Sequence, residues 1–459
     1  MAYASQQAFI RFGLGSRPGD SPLSDPPGAL MAQLDGPDPA LASGAFAGLP
    51  TGLDAMDALR ADRLARRQLL LAGEKPDGKF KPKTRALYMR DAGAQLNWAV
   101  TTDAAFRERL VWFWANHFSV SINQGETAGL VGPLVREAIR PHVTGNFTAM
   151  VLAVERHPAM LRYLANDVSI GPESPAGRRT GRGLNENLGR ECMELHTVGL
   201  AAGYSQADVT SMAKILTGWS VAGSQQGGDV TGFRYRPMTH EPGPQTVMGH
   251  SFDGGEAAGI AALTFLSRHP TTYRMLARQL ATHFVADQPP EAAVNRLANA
   301  LANSGGELMP AYAALVRSPE AWEPLGKLKT PQEYMVSVLR AAPIPDRPGN
   351  LRGNPPGNPP LNLPGVLNRL GQPLWGAPLP DGWPDQAAAW AGSDAVMSRI
   401  DWAYTYAGRL DGSAARPEEV ASAALGPLLR PATLGAVQRA GSQREALALL
   451  FASPEFQRR

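Results

Sequence analysis

A chain of 459 residues with 44% apolar and 19% charged side chains is long enough for one large core or two to three ordinary ones, at about 150 residues per domain. The 44 Lys and Arg against 41 Asp and Glu leave a net charge of +3, too small a surplus for a surface built to neutralise a phosphate backbone, so nucleic acid is disfavoured as a partner. The single cysteine, Cys192, excludes an intramolecular disulfide and, on this reading, any Cys-based zinc or iron–sulfur site, and points to a reducing compartment.

The first fifteen residues have no basic stretch followed by a continuous apolar one, and nowhere do about 18 apolar residues run uninterrupted, so neither a signal peptide nor a membrane span is expected. Apolar residues three to four apart predict helices over 54–72, 84–100, 103–118, 127–143, 147–165, 184–199 and 205–219. The same period returns over 256–267, 270–286, 291–304, 330–341, 391–410, 417–428, 431–440 and 443–452. Strand-like text is confined to 230–236, Val-Thr-Gly-Phe-Arg-Tyr-Arg, with 246–248 as a candidate partner.

Two stretches interrupt the helices. Residues 223–253 are rich in Gly, Pro and polar side chains and read as a long insertion. Residues 342–385 hold the tract 353–360, Gly-Asn-Pro-Pro-Gly-Asn-Pro-Pro, whose fixed φ and missing N–H groups exclude helix. Trp375, Trp383 and Trp390 lie in or beside this stretch, and the cost of leaving them in water predicts a strap folded over the helical body. The expected fold is mainly α, a large multi-helix orthogonal bundle with one irregular insertion carrying a small β-hairpin. The expected division is a helical core over 1–342 with the insertion at 221–255, a strap over 343–390, and a C-terminal helical segment over 391–459 packed on the core.

An apolar stretch ending in His-Pro or Ser-Pro recurs at His157, His269, Ser318 and Ser453. A duplicated His-bearing site would produce such a pattern. A reused helix start explains it better, because Pro suits the first helical position and Ser replaces His in half the copies.

The chemistry-bearing segment is 184–199, Leu-Asn-Glu-Asn-Leu-Gly-Arg-Glu-Cys-Met-Glu-Leu-His-Thr-Val-Gly. At 100° per residue, Leu184, Leu188, Leu195 and Val198 form one stripe with Glu191 between them, Asn187 and Glu194 on one flank, and Cys192 and His196 on the other. A carboxylate inside an apolar stripe must pair with a cation, bind a metal or take a raised pKa. Asn187, Glu191 and Glu194 are spaced to converge, whereas Glu191 to His196 matches neither a His-Glu-x-x-His zinc helix nor a Glu-x-x-His di-iron half-site. A buried salt-bridge cluster, with Arg190 or another Arg holding the acids, accounts for the same residues equally well.

In Trp112-Phe-Trp-Ala-Asn-His-Phe118, aromatics adjoin Asn116 and His117 as in a pocket wall, although His117 alone is more often a core or capping residue. His240-Glu241 in the insertion is a His–acid pair on a loop, with His250 nearby as an alternative ligand. Cys192 reads as a small core residue and not a nucleophile. Phosphate-loop, nucleophile-elbow and dinucleotide signatures are missing, which removes support for ATP hydrolysis and serine-hydrolase chemistry.

Together, Ile10-Arg-Phe-Gly-Leu-Gly15, Trp114-Ala-Asn-His-Phe118, His157-Pro-Ala-Met-Leu-Arg-Tyr-Leu164, Asn185 to Gly199, Asp208-Val, Leu216-Thr-Gly-Trp219 and Gly382-Trp383 resemble the bacterial family called domain of unknown function 1800, from about residue 8 to 457. The resemblance implies a large, mostly helical bacterial protein of no established activity. It also implies a sulfatase-like partner from the family called domain of unknown function 1501, often encoded alongside and commonly exported. Two departures stand out: the family's usual His-Asp is His240-Glu241 here, and the leader that some relatives carry is not seen. The second favours the cytoplasm, with export alongside a partner as the alternative.

These readings converge on a metal-assisted or carboxylate-dependent hydrolase-like enzyme. Its catalytic candidates are Glu191, Glu194, Arg190 and His196; Trp114, Asn116, Asn187 and Trp219 are the substrate-binding candidates. Glu191, Glu194, His117 and His240 are the candidate ligands of a divalent metal ion, with Mg²⁺, Ca²⁺, Zn²⁺ and non-haem iron all open. The alternative is a non-catalytic helical scaffold or accessory protein working with the sulfatase-like partner.

Overall fold

The computed structural model describes residues 2–73, 80–124, 126–344 and 361–459. The Pro-Pro tract 353–360 lies outside the described residues. The fold is mainly α, with two small two-stranded antiparallel sheets among the described residues.

The N-terminal third comprises α1 (Ala2–Gln7), α2 (Pro26–Ala32), α3 (Pro39–Ala42), α4 (Gly52–Leu71), α5 (Lys83–Thr101), α6 (Ala105–His117), α7 (Val131–Leu134), α8 (Phe147–Arg156) and α9 (Pro158–Tyr163). The middle holds α10 (Pro175–Thr180), α11 (Asn187–Glu191), α12 (Gln206–Leu216), α13 (Glu256–Ser267), α14 (Pro270–Phe284), α15 (Glu291–Asn303) and α16 (Leu308–Arg317). The remainder supplies α17 (Pro331–Ala341), α18 (Leu363–Arg369), α19 (Ser393–Ala407), α20 (Pro417–Leu425), α21 (Pro431–Arg439) and α22 (Gln443–Ala452).

Helix starts follow local chemistry. Thr51, Ser205 and Thr330 each close a capping box with an acid three residues on. His157 and His269 cap α9 and α14 by accepting the N–H of Ala159 and Thr271, so the His-Pro repeat is a helix-start device. The same cap splits the predicted helix 147–165 at His157. Helix α16 was not predicted; Pro310 sits in its first turn, where its missing N–H has no intrahelical partner to lose.

Strand-like text was found in the right places but paired wrongly. Phe233–Tyr235 (β2) pairs with Trp219–Val221 (β1), and Gln245–Val247 (β3) pairs with His250–Phe252 (β4), where the sequence suggested one hairpin from the two segments. The turn Met248-Gly249 has φ values of 48° and 79°, both positive as a two-residue type I′ hairpin requires, and Met at its first position hides that signal.

The hydrophobic interior forms two clusters. One gathers α6, α8, α9 and α12–α16; the other gathers α5 with α17–α22. Ile122 and Trp375 pack against both, so the segment after α18 begins where the two clusters meet. No helix among the described residues is long and apolar enough to cross a membrane.

Candidate functional site

Helix α11 starts at Asn187 and passes at Cys192 into a π-turn, Cys192–His196. Leu184 therefore precedes the helix, and the wider turn moves the inward face away from the stripe drawn at 100° per residue. The buried residues are Leu188, Gly189, Cys192, Met193 and His196, while Glu191, Glu194 and Leu195 are half-buried. Glu191 is thus at the edge of the buried face and not at its centre, which corrects the sequence expectation. Asn187 is exposed in the first turn and does not reach inward with it.

The buried acid of this region is Glu155 on α8, with no solvent exposure, and its Oε1 stands 2.7 Å from His196 Nδ1. Arg190 turns outward, donating to Gln206 Oε1 at 3.0 Å and to Glu186 Oε2 at 3.3 Å. Arg190 therefore does not hold the buried acid, and among the described residues no other Arg pairs with Glu155.

Beside this turn runs a cleft of about 800 Å³ between α6, α14 and the segment 371–390. That volume lies in the range of small-molecule sites, roughly 300–1,000 Å³. Trp383 and Trp390 wall it with ring centroids 5.8 Å apart; Leu195 and His117 lie at its base, and Arg278 and Asp381 also line it. Burial pushes the His117 imidazole down to about 3, so the ring is neutral. Its Nδ1 stands 2.9 Å from Gln279 Oε1 and its Nε2 3.3 Å from the His196 carbonyl.

Glu191, Asp381 and Tyr163 are electrostatic neighbours. Burial raises the Glu191 carboxyl above its ordinary range; His196 opposes the shift, and Glu194 and Asp381 add to it. Burial, then Glu191 and Asp381, push the Tyr163 phenol up to about 12, so it remains a hydrogen-bond donor at neutral pH. Among the described residues Glu191 has no hydrogen-bond or salt-bridge partner, whereas Glu186 is held by Arg190 and Thr210, and Glu241 by Lys214.

Other sequence candidates hold the fold around the cleft. Trp114 is fully buried and donates to the Tyr312 hydroxyl at 2.7 Å, so it is core and not a cleft wall. Trp219 is equally buried on β1, and a side chain at Gly259 would meet its ring at 2.5 Å. Asn116 clamps the strap: its Nδ2 donates to the Trp383 carbonyl at 2.8 Å, and its Oδ1 accepts the Trp383 N–H at 2.7 Å. His240 uses both ring nitrogens on backbone, Nδ1 toward Thr217 O at 2.8 Å and Nε2 accepting from Gly255 N–H at 2.7 Å, which leaves no lone pair for a metal.

The strap is fastened further on by Asp385, which accepts from His283 Nδ1 at 2.7 Å and from Arg459 at 3.4 Å. His283 Nε2 faces Arg109 at 3.1 Å, and a guanidinium only donates, so this imidazole is neutral with its proton on Nδ1. Against the desolvation of its burial, His283, Arg459 and Lys327 hold the Asp385 carboxyl well below the usual range.

Between these fastenings Gly382 has φ of +80°, and a Cβ there would stand 2.5 Å from the Asn116 carbonyl oxygen. Gly382→Ala is expected to cost about 1–3 kcal/mol through the left-handed backbone and the clash, and to loosen the Trp383 wall. Thermal melting with tryptophan fluorescence checks this, and an unchanged melting temperature would contradict the clamp.

Sequence reasoning missed Glu155, Tyr163, Asp381 and Gln279. A signal existed for Glu155, which follows Val151 by four residues and Phe147 by eight, on the apolar stripe of α8. Asp381 and Gln279 carry no comparable signal, because folding alone brings them beside α11.

The family described as Protein of unknown function (DUF1800) matches residues 7–458. The chain belongs to the DUF1800 family. Comparisons with curated proteins and with solved structures find no match. The helix of the Asn-Glu-Asn to Glu-Leu-His segment and the Gly382-Trp383 strap, two of the segments that carry the DUF1800 resemblance, meet at the cleft.

Proposed function

We propose that the protein is a carboxylate-dependent hydrolase-like enzyme whose substrate lies in the cleft beneath the 378–390 segment. The observation that carries this reading is Glu191, a half-buried carboxylate with no hydrogen-bond or salt-bridge partner among the described residues; it does not itself line the cleft but is an electrostatic neighbour of Asp381, which does. Such an unpartnered carboxylate is free to take a proton from water or give one to a leaving group. In the cleft Trp383 and Trp390 offer flat apolar surface, and Arg278, itself paired with Glu291, offers a cation for an anionic substituent. The ligand set of Glu191, Glu194, His117 and His240 is not part of this reading, because His240 is committed to backbone.

The test is a hydrolysis screen with chromogenic carboxylic esters, phosphate esters and glycosides, followed by Glu191→Gln on whichever is turned over. The expected result is a loss of about 10²- to 10⁴-fold in kcat/KM with an unchanged melting temperature. Full activity in the variant, or a variant that melts far below the parent, would overturn the reading.

A second reading, a non-catalytic scaffold for a sulfatase-like partner of the family called domain of unknown function 1501, draws support from a different observation. The network Arg109–Glu333–Arg459–Asp385–His283, which reaches the cleft wall at Asp385, pairs its groups with one another. Under it the screen finds no substrate and the two proteins elute together from a sizing column.

A further inference from the structure

We propose that Glu155, Cys192 and His196 hold a zinc ion that ties the π-turn after α11 to helix α8. One donor atom from each of the three lies within 4.8 Å of the others, and none of the residues is more than 1% exposed. The assignment is independent of the hydrolytic reading of the cleft, because it concerns what holds α11 and not what α11 presents to a substrate.

Two observations point to a shared ion. Glu155 and His196 Nδ1 are buried without an aligned hydrogen bond to each other, although Glu155 Oε1 and His196 Nδ1 stand only 2.7 Å apart, and the Cys192 thiol is the other group directed at this carboxylate. Groups that close and that buried normally align as donor and acceptor, and leaving them misaligned in a dry interior is costly. The second observation is charge. Among the described residues Glu155 has no Lys or Arg partner, and Cys192 Sγ lies against the same carboxylate. A divalent ion with one carboxylate, one thiolate and one neutral imidazole sums to zero, which suits a low-dielectric site.

The donor set selects the metal. A thiolate excludes Mg²⁺ and Ca²⁺, while mixed sulfur, nitrogen and oxygen donors suit zinc, which needs no particular d-electron geometry. Zinc ligand atoms at about 2.0–2.3 Å stand roughly 3.4 Å apart in a tetrahedron, so the carboxylate and imidazole open their gap by less than about 1 Å. On binding, the Cys192 S–H bond breaks and its proton leaves to solvent as the zinc–sulfur bond forms. The hydrogen on Nδ1 moves to Nε2, so the ring binds as the neutral tautomer. In the sequence the lone cysteine excludes a Cys-based site, because no partner ligands are visible there; the fold brings Glu155 and His196 to it.

The full chain, purified without chelator and freed of any histidine tag, is assayed for zinc by elemental analysis and then reconstituted with Co²⁺. The expected result is about one zinc per chain, and a thiolate-to-cobalt charge-transfer band in the near ultraviolet. The chain holds one cysteine, so that band by itself locates the ion at Cys192 even if no variant folds. Glu155→Gln and Cys192→Ser are each expected to lower zinc content at least tenfold. Less than a tenth of a zinc per chain together with no band on Co²⁺ addition would overturn the proposal, as would stoichiometric zinc whose cobalt derivative lacks the band.

Discussion

Glu333→Gln is expected to lower stability by about 3–5 kcal/mol while keeping the side chain's shape. Glu333, on α17, receives Arg109 on Oε1 at 2.9 Å and Arg459 on Oε2 at 2.7 Å, and all three side chains are almost fully buried. The neutral amide leaves two guanidiniums inside the protein with Asp385 as the remaining nearby acid. Desolvation alone would raise the Glu333 carboxyl, but Arg109 and Arg459 hold it below its ordinary range. A folded pKa below the unfolded one contributes stability that is fully present above the unfolded value, and this is lost as pH falls through the folded value. The gap between parent and variant is therefore widest at neutral pH and closes in strong acid. Denaturant unfolding at several pH values checks this; a deficit under about 1 kcal/mol at neutral pH would show that the network is not needed for stability.

Arg140→Met is expected to cost a similar amount, about 3–5 kcal/mol, with a different pH signature. Arg140 is fully buried, contacts both Glu108 oxygens at 2.6 and 2.7 Å, reaches Asp38 at 3.3 Å and Gln95 at 2.9 Å, and stacks over Phe46 at 4.8 Å. Met fills much of the volume but leaves Glu108 without its cation. Burial already raises the Glu108 carboxyl, with Arg140 opposing the shift, so removing the arginine raises it further. A folded pKa above the unfolded one means the folded state binds the extra proton as pH falls toward the unfolded value, near 4.3. The Met variant's deficit should shrink on acidification from neutral pH, measured by denaturant unfolding. A deficit that stays constant would place the loss in packing and not in the stranded carboxylate.

Much of the helical fold was legible because burying one face of a helix imposes a three-to-four period on the chain. That signal depends only on local geometry, and it survives in α4, α5, α6 and α12–α15. Where the prediction failed, local chemistry had cut or widened a helix. His157 ends α8 by capping α9, and the predicted helix 127–143 becomes α7 followed by a π-turn over Val135–Ile139. The π-turn after α11 has the greater consequence for the site, since a wheel at fixed angle places Glu191 at the centre of a face whose edge it occupies.

What the sequence determined by itself was the helical architecture, the strand-bearing insertion and the unusual density of acid, Asn and His around residues 184–199, because composition and period act over a turn or two of chain. What only tertiary structure decided was which of those groups are free. Folding committed His240 to the backbone and Asn116 to the strap. Among the described residues it left Glu191 without a hydrogen-bond or salt-bridge partner, and it brought Glu155 near Cys192 and His196. These outcomes depend on helices far apart in sequence meeting at one place, and no local pattern encodes which neighbour a side chain will meet.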